Sequence, residues 1–243
     1  MPRSTKKTAP PPSLALTANR ILYEDAVLIA VNKPPGFPCH QTHDPKRDHV
    51  TAALQRFLQA RDGASPKIAL QHRLDRDTSG VLLFSKDPSV NPSLNDAFRE
   101  RRIGKVYLAV VVLRPGQAPP PQRWTIQNFL ARDKKNKQRM TAVRGGGDTA
   151  ITEFQRLSQQ GNRLIIEARP KTGRTHQIRV HLAQTGHAIL GDTLYGGPEH
   201  NRYLLHAWQL CFEHPVSGET ITIRAPKPKP FRGGGTGQGP AAS

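Results

Sequence analysis

The sequence predicts an α+β fold built around a mixed, largely antiparallel central sheet with flanking helices and loops. Short apolar runs rich in β-branched residues recur along the chain, and turn-forming residues at hairpin distance separate several of them. Only a few segments have the apolar spacing of an amphipathic helix. Strands joined mostly by hairpins, with a few inserted helices, are typical of this class.

The first predicted elements are two short strands and a helix. Strands are expected at 21–23 and 27–31, and the Pro-Pro-Gly run at 34–36 then forces a loop. Residues 50–60 repeat apolar side chains at the spacing of one helix face. Asp48 is the expected N-terminal cap of this helix.

Residues 81–84 form an apolar run suited to a strand that is buried on both faces, so the polar stretch before it is predicted to be a loop that leads into a core strand. A helix is predicted at 91–102, and a strand at 105–112 precedes a proline-rich connection at 114–123. The remaining elements are predicted as strands at 137–143, 150–158, 162–169, 203–212 and 219–224, and as a helix at 175–184. The residues at 159–162 favour a hairpin turn.

The chain of 243 residues is long enough for one compact domain. Residues 1–18 are basic, proline-rich and poor in large apolar side chains, so they are predicted to be a disordered tail. Residues 227–243 combine proline spacing with glycine and are predicted to be a second disordered tail. The folded domain is therefore expected at 19–226.

The net charge indicates a polyanionic partner. Lys and Arg number 36 against 18 Asp and Glu, which gives a formal charge of +18. The terminal segments 1–20 and 225–243 carry seven of these charges and leave about +11 for the segment between them. A basic excess of this size favours nucleic acid through phosphate neutralisation and counterion release.

The cellular setting is predicted from what the sequence lacks. No segment approaches the roughly 20 apolar residues that cross a bilayer, and the N terminus has no apolar core of a signal peptide. Cys39 and Cys211 are isolated and suit neither a disulfide framework nor a zinc site. We expect a soluble cytoplasmic monomer with reduced thiols and no membrane partner.

The segment 71–80 packs two carboxylates, two guanidiniums, a histidine and two hydroxyls into the loop before the buried strand. Active sites favour such positions because the strand fixes the base of the loop. A charged turn whose side chains cap backbone groups explains the same residues equally well. Asp75 and Asp77 could also serve as the acid and base of a glycosidase.

Two later segments add nucleic-acid chemistry. Lys105 and Tyr107 lie two apart on a predicted strand and therefore share a face, where a cation and an aromatic ring can contact a phosphate and a base. The segment 173–182 adds two arginines and polar side chains at the start of a predicted helix. His176 and His181 are spaced poorly for a metal, so no metal site is predicted.

These segments together resemble the RluA family of RNA pseudouridine synthases. The loop His72-Arg73-Leu74-Asp75-x-x-Thr78-Ser79-Gly80 is similar to the family signature, and four further blocks appear in the family's order. They are 21–36, Lys105-x-Tyr107, 173–196 and 205–215. The resemblance covers nearly all of 20–225 and implies the pseudouridine synthase fold.

The resemblance also implies roles for individual residues. Asp75 matches the aspartate that acts on the target nucleotide, and Arg179 matches the arginine that pairs with it. Tyr107 matches the tyrosine that stacks on uracil and is a candidate to remove the C5 proton. Arg73 is expected to fill the space that the flipped base leaves.

Weaker candidates for contacts to RNA are Lys33, Lys105, Arg174, His176 and Leu182. Asp77 occupies a position that the family leaves variable, so we assign it no catalytic role. The implied isomerisation adds and removes no atoms and needs no redox carrier, nucleotide cofactor or metal.

The implied substrate is tRNA, ribosomal RNA or both. Residues 131–144 carry a cluster of cations against Asp133 alone, and we predict a basic hairpin that reaches over the RNA. About 20 residues precede the first block, so we expect a catalytic domain without the S4 RNA-binding domain of many relatives. The competing hypotheses are an RNA-binding protein without catalysis and a hydrolase that uses Asp75 with Asp77.

Overall fold

The computed structural model describes residues 13–63 and 67–232. In chain order the strands are β1 (Ile21–Glu24), β2 (Leu28–Lys33), β3 (Ala69–Leu70), β4 (Ser79–Ser85), β5 (Gly104–Val112), β6 (Arg123–Arg132), β7 (Met140–Val143), β8 (Asp148–Gln160), β9 (Arg163–Pro170), β10 (Leu205–Glu213) and β11 (Thr220–Arg224). The α-helices are α1 (Val50–Asp62), α2 (Asn91–Arg99) and α3 (Gln177–Gln184).

The described strands form one sheet in the order β1-β2-β4-β10-β5-β9-β8-β6-β7, with β11 paired to β10 and β3 to β4. The pairing of β4 with β10 is parallel, and every other pairing of these strands is antiparallel. This arrangement confirms the predicted α+β class with a mixed, mostly antiparallel sheet.

The part of the sheet near β1 is covered on both faces. Alternate residues of β2 and β4 pack with Leu54 and Leu58 of α1 on one face, and the residues between them pack with Leu94 of α2 on the other. Burying each leucine contributes about 1.5–3 kcal/mol. The predicted core strand at 81–84 therefore lies inside β4, with all its side chains buried.

The start of α1 differs from the prediction. His49, not Asp48, is the N-cap, because its Nδ1 accepts a hydrogen bond from the backbone N–H of Ala52. The Asp48 carboxylate instead accepts from the Leu14 backbone and pairs with Arg56 at 2.6 Å. Asp48 therefore ties the N-terminal segment to the helix.

The strand β6 was not predicted at all. Its side chains are mostly exposed or half-buried, so it lacks the apolar run that marks a core strand. Antiparallel pairing with β8, from Arg123–Gln155 to Leu130–Asp148, holds it in place. The predicted strand at 137–143 is shorter than expected and begins at Met140, because Asp133 accepts backbone hydrogen bonds in the turn before it.

The packed domain extends beyond the expected range 19–226. Leu14 and Leu16 are buried in the cluster beneath α1, although they fall within the N-terminal segment 1–18. Phe231 is buried against Leu108 and Val110 of β5, within the C-terminal segment 227–243. The parts of the two predicted tails at 1–12 and 233–243 lie outside the described residues.

Candidate active site

A cleft of about 690 Å³ opens where the loop after β3, the face of β5 and the start of α3 meet. The residues predicted for the site that line it are Arg73, Asp75, Lys105, Tyr107, Arg174, His176 and Arg179. Segments more than one hundred residues apart in the chain thus converge, with Arg179 bonded directly to Asp75. Lys33 and Leu182 do not line the cleft.

Buried hydrogen bonds from Lys33 fix the loop that carries Asp75. Lys33 is fully buried, and its Nζ donates to the backbone oxygens of Pro34, Arg76 and Thr78 at 3.0, 2.7 and 2.9 Å. Burial lowers the pKa of Lys33 to about 8. The sequence-based expectation that Lys33 contacts RNA is therefore wrong, because its ammonium is used entirely within the protein.

Two further side chains anchor the same loop. His72 Nε2 accepts a hydrogen bond from the Leu83 backbone of β4 at 3.2 Å, and its ring stacks on Phe98. Burial lowers the pKa of His72 to about 3, so the ring stays neutral and can accept this bond. Cys39 Sγ accepts from the Leu74 backbone N–H at 3.2 Å, next to Asp75.

At Gly80, where the loop ends, the backbone lies very close to that of β10. Gly80 has φ +115°, and a Cβ atom there would lie 2.0 Å from the backbone oxygen of Ala207 on β10. Only glycine fits this contact without displacing the backbone. The Gly80 position therefore sets the parallel pairing of β4 with β10 directly behind the site.

Arg179 bridges two carboxylates. Its Nη1 donates to Asp75 Oδ2 at 3.1 Å, while Nε and Nη2 donate to the two oxygens of Asp192 at 2.7 and 2.9 Å. The Asp192 side chain is 1% exposed and the Asp75 side chain is 28% exposed. Asp192 thus orients the guanidinium, and Asp75 is the carboxylate that faces the cleft.

Aromatic rings complete the surroundings of Arg179. Its guanidinium carbon lies 4.3 Å from the ring centroid of Tyr203 and 5.0 Å from that of Tyr195. Asp192, Tyr195 and Tyr203 were given no role from the sequence. Asp192 and Tyr195 lie in the family block 173–196, and Tyr203 lies between that block and the last one. No local pattern distinguishes these side chains from ordinary core residues.

Tyr107 and Lys105 share one face of β5, as their spacing predicts, and both line the cleft. Burial, followed by the charge of Asp75, raises the pKa of Tyr107 well above its usual range. The phenol is therefore protonated at neutral pH. Its ring forms part of the cleft wall on which a planar base can stack.

The cleft has a basic rim. Arg73 lies there exposed, and within the described part of the chain neither its side chain nor that of Lys105 forms an ion pair or a hydrogen bond. Arg99, Arg101 and Lys171 also line the cleft, although no role was predicted for them. Arg99 and Lys171 are already paired with Asp96 and Glu153, whereas the unpaired Arg73 and Lys105 are free to attract an anionic ligand.

Other predicted residues occupy different positions. Leu182 is fully buried against Ala109 and Val111 of β5, so the expectation that it contacts RNA is wrong. It lies on the face of α3 that packs on the sheet. Asp77 pairs with Arg76 at 3.0 Å and does not line the cleft.

The predicted basic hairpin is formed by β6, the turn at 133–139 and β7. Its exposed cations are Arg132, Lys134, Lys135, Lys137 and Arg144. The hairpin reaches the site through Met140, whose backbone N–H donates to the Tyr195 hydroxyl at 2.8 Å. Whether these cations contact RNA stays a prediction.

The described ranges contain no helix with the length and apolar character needed to cross a membrane. They also contain no cluster of three or more His, Cys, Asp or Glu side chains arranged to hold a metal ion.

The chain is similar to known proteins along most of its length. The family described as RNA pseudouridylate synthase matches residues 27–184. Ribosomal large subunit pseudouridine synthase D of Neisseria meningitidis serogroup A is 35% identical over 225 residues, which cover 86% of this chain and 58% of that protein. Ribosomal large subunit pseudouridine synthase C of Buchnera aphidicola subsp. Acyrthosiphon pisum is 36% identical, with 86% and 67% covered.

A solved structure supports the same relationship. Human RNA Pseudouridylate Synthase Domain Containing 4 superimposes with a TM-score of 0.72 at 26% identity, covering 88% of this chain and 90% of that one. The chain spans 58% of the length of the Neisseria relative and so corresponds to little more than half of it.

Proposed function

Because the chain belongs to the RNA pseudouridylate synthase family, as its motifs indicated, we propose that it isomerises uridine to pseudouridine in RNA. The observation that carries this proposal is the Asp75 carboxylate, held by Arg179 at 3.1 Å inside a cleft with a basic rim and Tyr107 in its wall. A carboxylate, a stacking ring and free cations are the groups that a nucleotide substrate requires.

In the proposed reaction Asp75 acts on the ribose of the target nucleotide. The bond from C1′ to N1 of uracil breaks, the detached base rotates, and a new bond forms from C1′ to C5. The proton leaves C5 and N1 gains one, so the atoms balance without a cofactor. Tyr107 stacks on the base throughout and is our candidate to remove the C5 proton late in the reaction. Because its phenol is protonated at neutral pH, the hydroxyl must give up its own proton as it accepts the one from C5, so it acts as a proton relay and not as a preformed phenolate.

The dimensions of the cleft suit one nucleotide. Its volume of about 690 Å³ lies within the range of roughly 300–1,000 Å³ typical of small-ligand sites. A base reaches such a site only after it leaves its stack, at a cost of a few kcal/mol. We propose that the exposed Arg73 enters the vacated space and recovers part of that cost.

We propose large-subunit ribosomal RNA as the substrate and the cytoplasm as the site of action. The names of the Neisseria and Buchnera relatives assign them to the large ribosomal subunit, and this chain is 35% and 36% identical to them. Transfer RNA is the competing substrate, because the catalytic groups themselves do not distinguish one RNA from another.

The proposal is tested with ribosomal and transfer RNA transcripts that carry tritium at C5 of uridine. Release of tritium from ribosomal RNA, with pseudouridine mapped at the labelled position and RNA mass unchanged, is the expected result. Release from transfer RNA alone would overturn the substrate assignment and keep the activity. Absence of release from both, or cleaved strands or free base, would overturn the activity.

Replacing Tyr107 by Phe is expected to lower kcat by about 10²- to 10⁴-fold, the usual contribution of a proton-transferring group. RNA affinity should change little, because the ring that stacks on the base remains. Single-turnover tritium release and filter binding measure the two quantities. Tyr23→Phe, which removes a phenol hydroxyl from β1 outside the cleft, is the control and should keep wild-type kcat. A Tyr107→Phe enzyme with full activity would remove the hydroxyl from the mechanism.

Neutralising the hairpin turn is expected to weaken the salt dependence of RNA binding. With Lys134, Lys135 and Lys137 changed to Ala, the slope of log K against log salt should become less steep by roughly 0.7–0.9 for each phosphate that the protein no longer neutralises. Filter binding between low and moderate salt measures the slope.

The control for this triple variant changes Arg114, Arg123 and Lys229 to Ala. These residues are also exposed, and none of them lines the cleft. Arg123 begins β6 at the end opposite to the hairpin turn. Equal slopes for the two triple variants would show that only the total charge matters and would contradict a role of the hairpin.

A further inference from the structure

His176 has an unusual backbone for its residue type. It lies directly before α3 with φ 55° and ψ 16°, and it is one of two non-glycine residues with positive φ in the described part of the chain. Side chains of L residues rarely adopt this left-handed conformation. Such a conformation persists only where the surroundings impose it, often at functional sites.

The Tyr195 hydroxyl lies within hydrogen-bonding distance of one ring nitrogen of His176. The Tyr195 hydroxyl oxygen already accepts the Met140 N–H at 2.8 Å, and His176 Nδ1 lies 2.9 Å from the same oxygen. The hydroxyl has one hydrogen, and no other acceptor for it is found among the residues that the structure describes. We assign this hydrogen to Nδ1, which places the proton of the neutral ring on Nε2, and the first experiment below measures that assignment.

This protonation state directs a donor at the catalytic carboxylate. His176 Nε2 lies 3.8 Å from Asp75 Oδ2, the oxygen that also accepts from Arg179. This distance is too long for a hydrogen bond. A proton on Nε2 would therefore have no partner among the described residues and would be available to a ligand bound beside Asp75. Burial lowers the pKa of His176, with Asp75 and Arg179 acting in opposite directions, and this favours the neutral ring.

Tyr195 is itself held by the basic hairpin. Besides the bond from Met140, the Arg139 guanidinium lies 5.2 Å from its ring centroid, and Arg179 lies 5.0 Å from the same centroid. The Arg139 Nε is buried and has no hydrogen-bond partner within the described ranges. A continuous set of contacts therefore runs from the hairpin through Tyr195 and His176 to Asp75.

We propose that His176 is a positioning residue, which Tyr195 orients so that its Nε2–H binds Asp75 or a ribose oxygen when the target nucleotide is bound. The hairpin sets this arrangement because it holds Tyr195. The proposal rests on the proposed function and deepens it, since the resemblance placed His176 only among contacts to the RNA. It predicts that the contact between Tyr195 and His176, which lies away from the nucleotide, affects the rate of the reaction step at Asp75.

The first test measures the tautomer and does not depend on catalysis. The full chain is labelled with ¹⁵N in its histidine rings, and the His176 signals are assigned by their loss in His176→Asn. We expect one tautomer with the proton on Nε2 in the wild type and a mixture in Tyr195→Phe, which keeps the ring and loses the hydroxyl. A proton on Nδ1, or an unchanged spectrum in Tyr195→Phe, would overturn the proposal.

The second test compares two substitutions of His176 in single-turnover reactions. Asn tolerates the left-handed backbone and can accept from Tyr195, but it has no group that reaches as far as Nε2. Gln places an amide donor near the Nε2 position. We expect His176→Asn to lower the single-turnover rate roughly 10- to 100-fold with RNA Kd within about 2-fold, and Gln to recover part of the rate.

The outcomes separate this proposal from the proposed function. A wild-type rate in His176→Asn, or a loss that appears in Kd alone, would overturn the positioning role and leave the isomerase activity intact. Failure of the wild-type chain to modify either RNA would overturn the proposed function instead. The tautomer of His176 would still be measured in that case.

Discussion

Replacing Asp75 by Asn should reduce pseudouridine formation by at least about 10⁴-fold, as removal of a reacting group commonly does. The amide has nearly the same shape, and its oxygen can still accept from Arg179, so the loop should keep its structure. The amide cannot act on the ribose as a carboxylate does. Single-turnover tritium release measures the loss, and filter binding should show nearly unchanged RNA affinity.

Asp77 provides the matched control for this substitution. It lies two residues further along the same loop, pairs with Arg76 and does not line the cleft. Asp77→Asn should therefore keep the wild-type rate. A loss of activity in Asp77→Asn as large as that in Asp75→Asn would favour the hydrolase hypothesis, in which two carboxylates cooperate.

Replacing Asp192 by Asn should damage both stability and activity. The Asp192 carboxylate is almost fully buried and neutralises a buried guanidinium through two hydrogen bonds. Removing one partner of a buried pair costs about 3–5 kcal/mol of unfolding free energy when the other charge is left uncompensated. Arg179 would keep its contact with the partly exposed Asp75, so we expect a loss at the lower end of this range. For a chain of this size a loss near about 3 kcal/mol corresponds to a decrease in Tm of roughly 6–12 °C.

The same substitution should lower kcat by about 100-fold, since a small displacement of a catalytic group has an effect of this size. Arg179 would lose the carboxylate that fixes its orientation and would no longer hold Asp75 in one direction. Calorimetry and single-turnover kinetics at a temperature well below the Tm measure the two effects separately.

Glu153→Gln is the control for Asp192→Asn. Glu153 pairs with Lys171 at 2.9 Å, but both side chains are about half exposed. Exposed ion pairs contribute little to stability, so Tm should hardly change. Equal decreases in Tm for the two variants would contradict the structural role of the buried pair.

Local sequence patterns predicted the elements that are stabilised mainly by residues within the same segment. The apolar run at 81–84, the helical spacing after residue 50 and the turn residues at 159–162 all correspond to observed structure. The β6 strand was missed because its partly exposed side chains carry no such pattern, and pairing with β8 stabilises it instead.

The amino-acid sequence by itself predicted the α+β class and the family, because motif order and residue chemistry are properties of the chain. It also singled out Asp75, Tyr107 and Arg179 as the candidate catalytic residues. Only the tertiary structure decided what each cation does. Lys33 and Arg73 are both basic residues in family motifs, yet Lys33 is buried beneath the loop and Arg73 is exposed at the cleft. Burial depends on packing between distant segments, and the pairing of Asp192 with Arg179 and of Tyr195 with His176 depends on the same packing.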